Sequence, residues 1–439
     1  MKHFVKGSSS RRLLPFSALA AVALAAAAAT PAIATAGATQ LRHAVSSGQA
    51  TPAVGVHPIV VEAGAAGNAT FSCQAVDAPV RCYSPGQLRT AYGWNHFKNG
   101  GAGETVVIVD AFQSPTLRQD VALEDSTFGL PAPDLKVIAP QGLTRFNPKN
   151  PTMVSWSAEI SLDVESVHAY VPQAKIVLDL SKTSADASIL AATKYVVDKN
   201  IGDVISQSFG EAERCMLPNL LKQEHALFQK AVGKGISLIA ASGDNGAAQP
   251  TCNGKSTVLS ASTPASDPYV TGVGGTNLFL TKSGAWTGET AWNDGYGESG
   301  GGISTLYPTP KYQKSLGVPA RTVPDVAYNA GVDGGILIAW GSSGQGAGLI
   351  FIFGGTSAGS PAWASIAALA DQTAGHRLGA LNPRIYSIAE SKRYSSDFHD
   401  ITIGNNIESV GGYYTAPGYD LVTGWGTPKL AWLVPALAR

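Results

Sequence analysis

Between residues 105 and 240 the chain alternates short apolar runs with stretches of helical period, a pattern that few folds accept. Residues 105–109, 136–138, 175–180, 203–206 and 236–240 read as strands, and 117–128, 157–170, 187–199 and 219–233 as helices. Strands separated by helices predict an α/β domain: a mainly parallel sheet covered by helices on both faces. No internal repeat interrupts this order. Residues 284–348 are rich in Gly, Ser and Pro and read as loop-dominated, and a last helix is expected over 361–372.

The N-terminus has the layout of an export signal. Lys2, Lys6, Arg11 and Arg12 precede an Ala/Leu-rich run over 13–29, and Ala32-Ile33-Ala34 supplies a small-residue cleavage site. A signal peptide is therefore expected over 1–34, by either the general or the twin-arginine route. Residues 35–82 have little period and read as a linker or short pro-segment, leaving a single catalytic domain over 83–439. Lys+Arg and Asp+Glu balance at 31 each, so net charge implies no basic face for nucleic acid, and no nucleic-acid partner is expected. The expectation is a secreted, extracellular monomer that keeps no membrane anchor. In an oxidising compartment the four cysteines predict two disulfides, with three pairings open. Cys73 and Cys82 are close in sequence, so the local bridge is the simplest, leaving Cys215 with Cys252.

One stretch carries chemistry. Gly354-Gly355-Thr356-Ser357-Ala358-Gly359-Ser360-Pro361 follows an apolar run and opens a helix, with proline where a first helical turn accepts it. Ser357 would lie beside helix-terminal N–H groups able to stabilise an oxyanion. The same letters also fit a plain turn with Ser360 as a helix cap. Two hydrolase patterns compete for them. Gly355-x-Ser357-x-Gly359 fits the nucleophile elbow of an α/β-hydrolase esterase, which would need His399 or His376 as base. A histidine triad of the subtilisin kind finds no support, since none of the eight histidines sits in a suitable helix-start motif. A carboxylate can serve instead: Glu159 and Asp163 are four apart and share one face of a helix. Asp110, at the end of a strand, is a rival acid. Glu165 and His168 are off the shared face.

Glu159-x-x-x-Asp163, Ala240-Ala241-Ser242-Gly243-Asp244-Asn245-Gly246 and Gly355-Thr356-Ser357-Ala358-Gly359-Ser360-Pro361, in that order, resemble the sedolisin (serine-carboxyl peptidase) family. So do Ser206-Gln207-Ser208-Phe209-Gly210, Ser299-Gly300-Gly301-Gly302 and Ser84-Pro85-Gly86-Gln87-Leu88. The resemblance runs from about Tyr83 to the C-terminus. It implies a subtilisin-like fold and an endopeptidase acting on protein or peptide substrates in acid. Ser357 would be its nucleophile, Glu159 the base, Asp163 the group orienting it, and Asp244 the oxyanion donor. It also implies one structural Ca2+, held by the carboxylates of Asp400 and Asp420 and the carbonyls of Ile401, Ala416 and Gly418. Two carboxylates beside a glycine-rich turn suit such a hard cation. The chain departs from the family before Tyr83, where about 45–50 residues after the signal are too few for the usual folded pro-region.

Overall fold

The computed structural model describes residues 48–53, 55–61, 71–75, 77–346 and 348–439. The export signal expected over 1–34 lies outside the described residues. The strands that matter for the site are β1 (Thr51–Pro52), β2 (Gly55–Val61), β3 (Cys82–Tyr83), β4 (Thr105–Ala111), β5 (Asp134–Ile138), β6 (Lys175–Ser181), β7 (Val204–Gln207), β8 (Phe209–Ala212) and β9 (Ser237–Ala241). The helices are α1 (Pro85–Tyr92), α2 (Leu117–Phe128), α3 (Pro151–Tyr170), α4 (Asp186–Lys199), α5 (Pro218–Gly233) and α6 (Gly359–Ala374).

The central sheet runs Trp286–Ala291, Thr271–Leu280, β9, β7, β4, β6, β5, and Val326–Asn329 pairs with Thr271–Leu280. Every pairing is parallel except that of Thr271–Leu280 with Trp286–Ala291. The two-residue alternation of a strand divides the core. Val106 and Ile108 of β4 pack with α3 and α6, while Val107 and Val109 pack with α4 and α5. Trp156, Trp363 and Phe228 are fully buried in these layers, each contributing about 1.5–3 kcal/mol of apolar burial.

Three departures from the sequence reading bear on the site. Helix α3 starts at Pro151, six residues before Ser157, because Asn150 caps it through its side chain to the Met153 N–H and proline fits the first turn. Ser157 is thus an interior residue: its hydroxyl donates to the Val154 carbonyl and accepts from the Trp340 indole. The Gly/Ser/Pro-rich stretch, mostly irregular as expected, nonetheless carries five strands, Trp286–Ala291, Gly302–Pro308, Ala320–Val323, Val326–Asn329 and Gly335–Ala339. Glycine is needed there for close approach: a Cβ on Gly300 would lie 2.2 Å from the Ser242 carbonyl oxygen. Finally, β1 and β2, which precede Tyr83, pair with the body, β1 with β8 and β2 with Ile350–Gly354. The disulfides are Cys73–Cys82 and Cys215–Cys252.

Candidate active site

The C-terminal ends of parallel strands gather the chemistry, as open α/β sheets generally do. Asp110 is near the end of β4, Ser208 follows β7, and Asp244 follows β9. Ser357 lies in the tight turn Thr356–Ala358 between the strand Ile350–Gly354 and α6. Gly355 enters that turn at φ 101°, a conformation side chains resist. The start of α6 is fixed by a 2.9 Å bond between the Ser360 and Ser206 hydroxyls, so Ser360 ties helix to sheet and does not cap it. Helix α3 presents Glu159 and Asp163 from the same layer, and alternation along β4 puts Asp110 on that side too. All three acids and Ser357 are fully buried.

The contacts form two chains. The Ser357 hydroxyl donates to the Ser208 carbonyl at 3.2 Å, and the Ser208 hydroxyl donates to Asp163 Oδ1 at 2.8 Å. Asp244 Oδ1 accepts both the Thr356 N–H (2.8 Å) and the Thr356 hydroxyl (2.7 Å), leaving Oδ2 to carry a proton. Neither carboxyl oxygen of Glu159 has a partner meeting ordinary hydrogen-bond geometry, and the same holds for Asp110. Ser357 nevertheless lies near enough to Glu159 to favour its charged form.

Burial dominates the electrostatics. It raises Glu159 well above the usual carboxylate range, reinforced by the charges of Asp163 and Asp110 and opposed by the Ser357 hydroxyl. Asp163 is raised first by burial, then by Asp110, while the Ser208 hydroxyl favours its charge. Burial pushes Asp110 up to about 8. Asp244 is raised by burial to about 6 against the pull of Thr356. The cluster therefore holds protons at pH values where exposed carboxyls have lost theirs, and one ionisation within the Glu159–Asp163 pair discourages the next.

The other sequence candidates lie elsewhere. Glu165 accepts the Ala339 N–H at 2.8 Å, and His168 bonds to Asp125 at 2.7 Å. His399 stacks on Trp286 with ring centroids 4.0 Å apart, and burial pushes its pKa down to about 3. Near the C-terminus, Asp400 accepts the Gly418 N–H and Asp420 accepts the Ala416 N–H, so both carboxylates converge on one loop. Among the described residues no backbone N–H donates to the carbonyls of Ile401, Ala416 or Gly418. That donor set, two carboxylates with three uncommitted carbonyls, fits a Ca2+ ion. Ser208 and Thr356 were missed as site residues, although both stand inside the motifs that carry the family resemblance.

Comparison with known proteins agrees with this geometry. The subtilase family matches residues 148–384. Kumamolisin of a Bacillus species is 30% identical over 84% of this chain and 66% of its own length. Sedolisin of a Pseudomonas species is 31% identical over 63% of this chain and 48% of its own. Rat tripeptidyl-peptidase 1 is 31% identical over 55% and 44%. Thus the chain spans between about half and two thirds of the length of these curated relatives. A solved structure of Pseudomonas sedolisin, complexed with two molecules of pseudo-iodotyrostatin, superposes with a TM-score of 0.71 at 27% identity, covering 81% of this chain and 97% of that one. The chain belongs to the subtilase family and, within it, to the sedolisins, the serine-carboxyl peptidases of subtilisin-like fold.

Proposed function

We propose that this chain is a secreted serine-carboxyl endopeptidase that cleaves protein or peptide substrates in acid. The observation that carries the reading is a buried carboxyl pair on one face of α3 whose titration is linked to the Ser357 hydroxyl, with a second acid, Asp244, bonded beside the serine. Glu159 takes the Ser357 proton as the hydroxyl attacks the scissile carbonyl, and Asp163 shares the proton load. The Ser357 N–H and protonated Asp244 Oδ2 stabilise the oxyanion. Glu159 returns the proton to the departing amine, and water then hydrolyses the acyl-enzyme ester on Ser357. The working form of the pair carries one negative charge. It must coexist with neutral Asp244, which confines activity to solution below about pH 6 on the alkaline side.

A structural Ca2+ held by Asp400, Asp420 and the carbonyls of Ile401, Ala416 and Gly418 would tie together the two ends of the loop over residues 400–420. Among the described residues no helix is long and apolar enough to cross a membrane. The test is digestion of a denatured protein across acid and neutral pH. Cleavage is expected in acid, absent for Ser357→Ala. Equal activity of that variant, or an optimum at neutral pH, would sink the reading.

A further inference from the structure

Residues 48–53 of this chain lie extended across the site and show how the site seats a peptide backbone. The Ala53 carbonyl oxygen accepts the Ser357 N–H at 3.0 Å, and the Ala53 N–H donates to the Ser208 carbonyl at 3.2 Å. Thr51 and Pro52 pair antiparallel with Gly210 and Phe209 of β8, and the Thr51 hydroxyl adds a 3.0 Å bond to the Gly210 carbonyl. The Ala50 N–H donates to the Ser184 carbonyl at 3.0 Å, and Gln49 bridges Ala185. In strand addition of this kind the backbone bonds give affinity and pockets read the side chains. Counted back from the carbonyl held at the nucleophile, Ala50 is the fourth residue.

Ala50 is buried and borders a cavity of about 10 Å³, room for about one water molecule. The apolar wall of the cavity is Ile189, Phe209 and Met216, and its polar wall is Asp186, Glu211 and Glu224. Asp186 is 2% exposed and Glu211 4%. Glu224 accepts the Thr263 hydroxyl at 3.0 Å. By contrast, none of the four carboxyl oxygens of Asp186 and Glu211 has a partner of ordinary hydrogen-bond geometry. The two carboxyls lie near enough to share a proton, with the Gly48 N–H beside Glu211. One O–H···O bond between them engages one oxygen of each and leaves the other two unmet, which is costly for buried polar groups.

Size and charge together define the group that would meet them. The space beyond the Ala50 methyl takes one more heavy atom. Burial, reinforced by neighbouring acids, pushes Glu211 up to about 9 and Glu224 up to about 8, and it raises Asp186 as well. In acid the polar wall is therefore uncharged, and a lysine or arginine gains little from it. A neutral carboxyl both donates and accepts hydrogen bonds, and a hydroxyl does the same. A methyl group of equal size does neither, and it displaces the water that otherwise could.

We propose that this cavity is a specificity subsite selecting serine as the fourth residue on the acyl side of the cleaved bond, with Asp186 and Glu211 reading its hydroxyl. The inference deepens the peptidase reading above and rests on it. Serine places one oxygen where the cavity has room, and longer side chains meet Ile189, Phe209 and Met216.

The test is kcat/KM of the full chain in acid for four peptides that differ only at this position: alanine, serine, 2-aminobutyrate and lysine. 2-Aminobutyrate is serine with a methyl group in place of the hydroxyl. Residues 48–53 compete equally with every peptide, so the ratios are unaffected by them. Serine should lead, exceeding 2-aminobutyrate by at least about 10-fold, with alanine between them and lysine last. Glu211→Met keeps the bulk of the side chain and removes the carboxyl, so the ratio of serine to 2-aminobutyrate should fall to about one. The wild-type comparison stands without any variant having to fold. Serine and 2-aminobutyrate cleaved alike, lysine preferred, or a ratio unchanged in Glu211→Met overturns the subsite and leaves the peptidase reading intact. Hydrolysis of none of the four at any pH overturns both.

Discussion

Asp244 offers the sharpest separation of protonation from geometry. Its carboxyl can donate to an oxyanion only when neutral, and burial raises it to about 6. The neutral fraction is then about 99% at pH 4, about half at pH 6 and about a tenth at pH 7. Wild-type kcat/KM should fall about tenfold per pH unit beyond that point. Asp244→Asn keeps an oxygen to accept the Thr356 N–H and hydroxyl, and supplies N–H donors that do not titrate. Its rate near pH 4 should stay within about tenfold of wild type, while its alkaline limb moves up by at least about one unit. Asp244→Ala loses the donor and strands two Thr356 groups, which should lower kcat by about 100- to 1000-fold. The assay is kcat/KM for one fluorogenic peptide from about pH 3 to 8 for all three proteins. An Asn variant with an unmoved alkaline limb, or an Ala variant with wild-type kcat, would refute the assignment.

Other consequences follow from the same contacts. Ser208→Ala removes the hydroxyl that favours charged Asp163, so the acid limb of the rate profile should move to higher pH by about one unit; an unmoved limb counts against the relay. Stability should be greatest in acid. Folded Asp179 (about 7), Asp371 and Glu224 (about 8) and Glu211 (about 9) hold protons that the unfolded chain releases near 4. Their raised values stabilise the fold below about pH 4, and that contribution is lost as pH climbs through about 7 to 9. Denaturant unfolding of Ser357→Ala at several pH values checks the sign, and rising stability toward pH 9 would contradict it. A chelator should lower Tm by about 5–10 °C without changing kcat at low temperature, and Asp420→Asn should mimic it. A Tm indifferent to chelator removes the Ca2+ proposal.

Much of the central sheet was legible because its strands are buried on both faces, so runs such as Val106-Val107-Ile108-Val109 advertise themselves without any need for pairing information. Glu159 and Asp163 were legible as a pair because four residues make one helical turn. The start of α3 was hidden because Ser157 reads equally well as a helix cap, although the Asn150-Pro151 step is itself a helix-start signal. The strands of the glycine-rich stretch were not legible, since close backbone approach there replaces side-chain pattern. Strand β1 has two residues and no period at all, so only its backbone bonds reveal its place. The partnership of Ser208 with Asp163 is likewise a tertiary contact, spanning 45 residues, that no local spacing predicts.

The central claim is that a carboxylate, not an imidazole, activates Ser357. Single-turnover acylation by a peptide ester in acid measures that step alone. Glu159→Gln keeps the shape of the side chain and loses the base, so acylation should slow by about 100- to 10,000-fold. His399→Ala, whose ring rests on Trp286, should acylate within a few-fold of wild type. Retained acylation in Glu159→Gln together with its loss in His399→Ala would contradict the account.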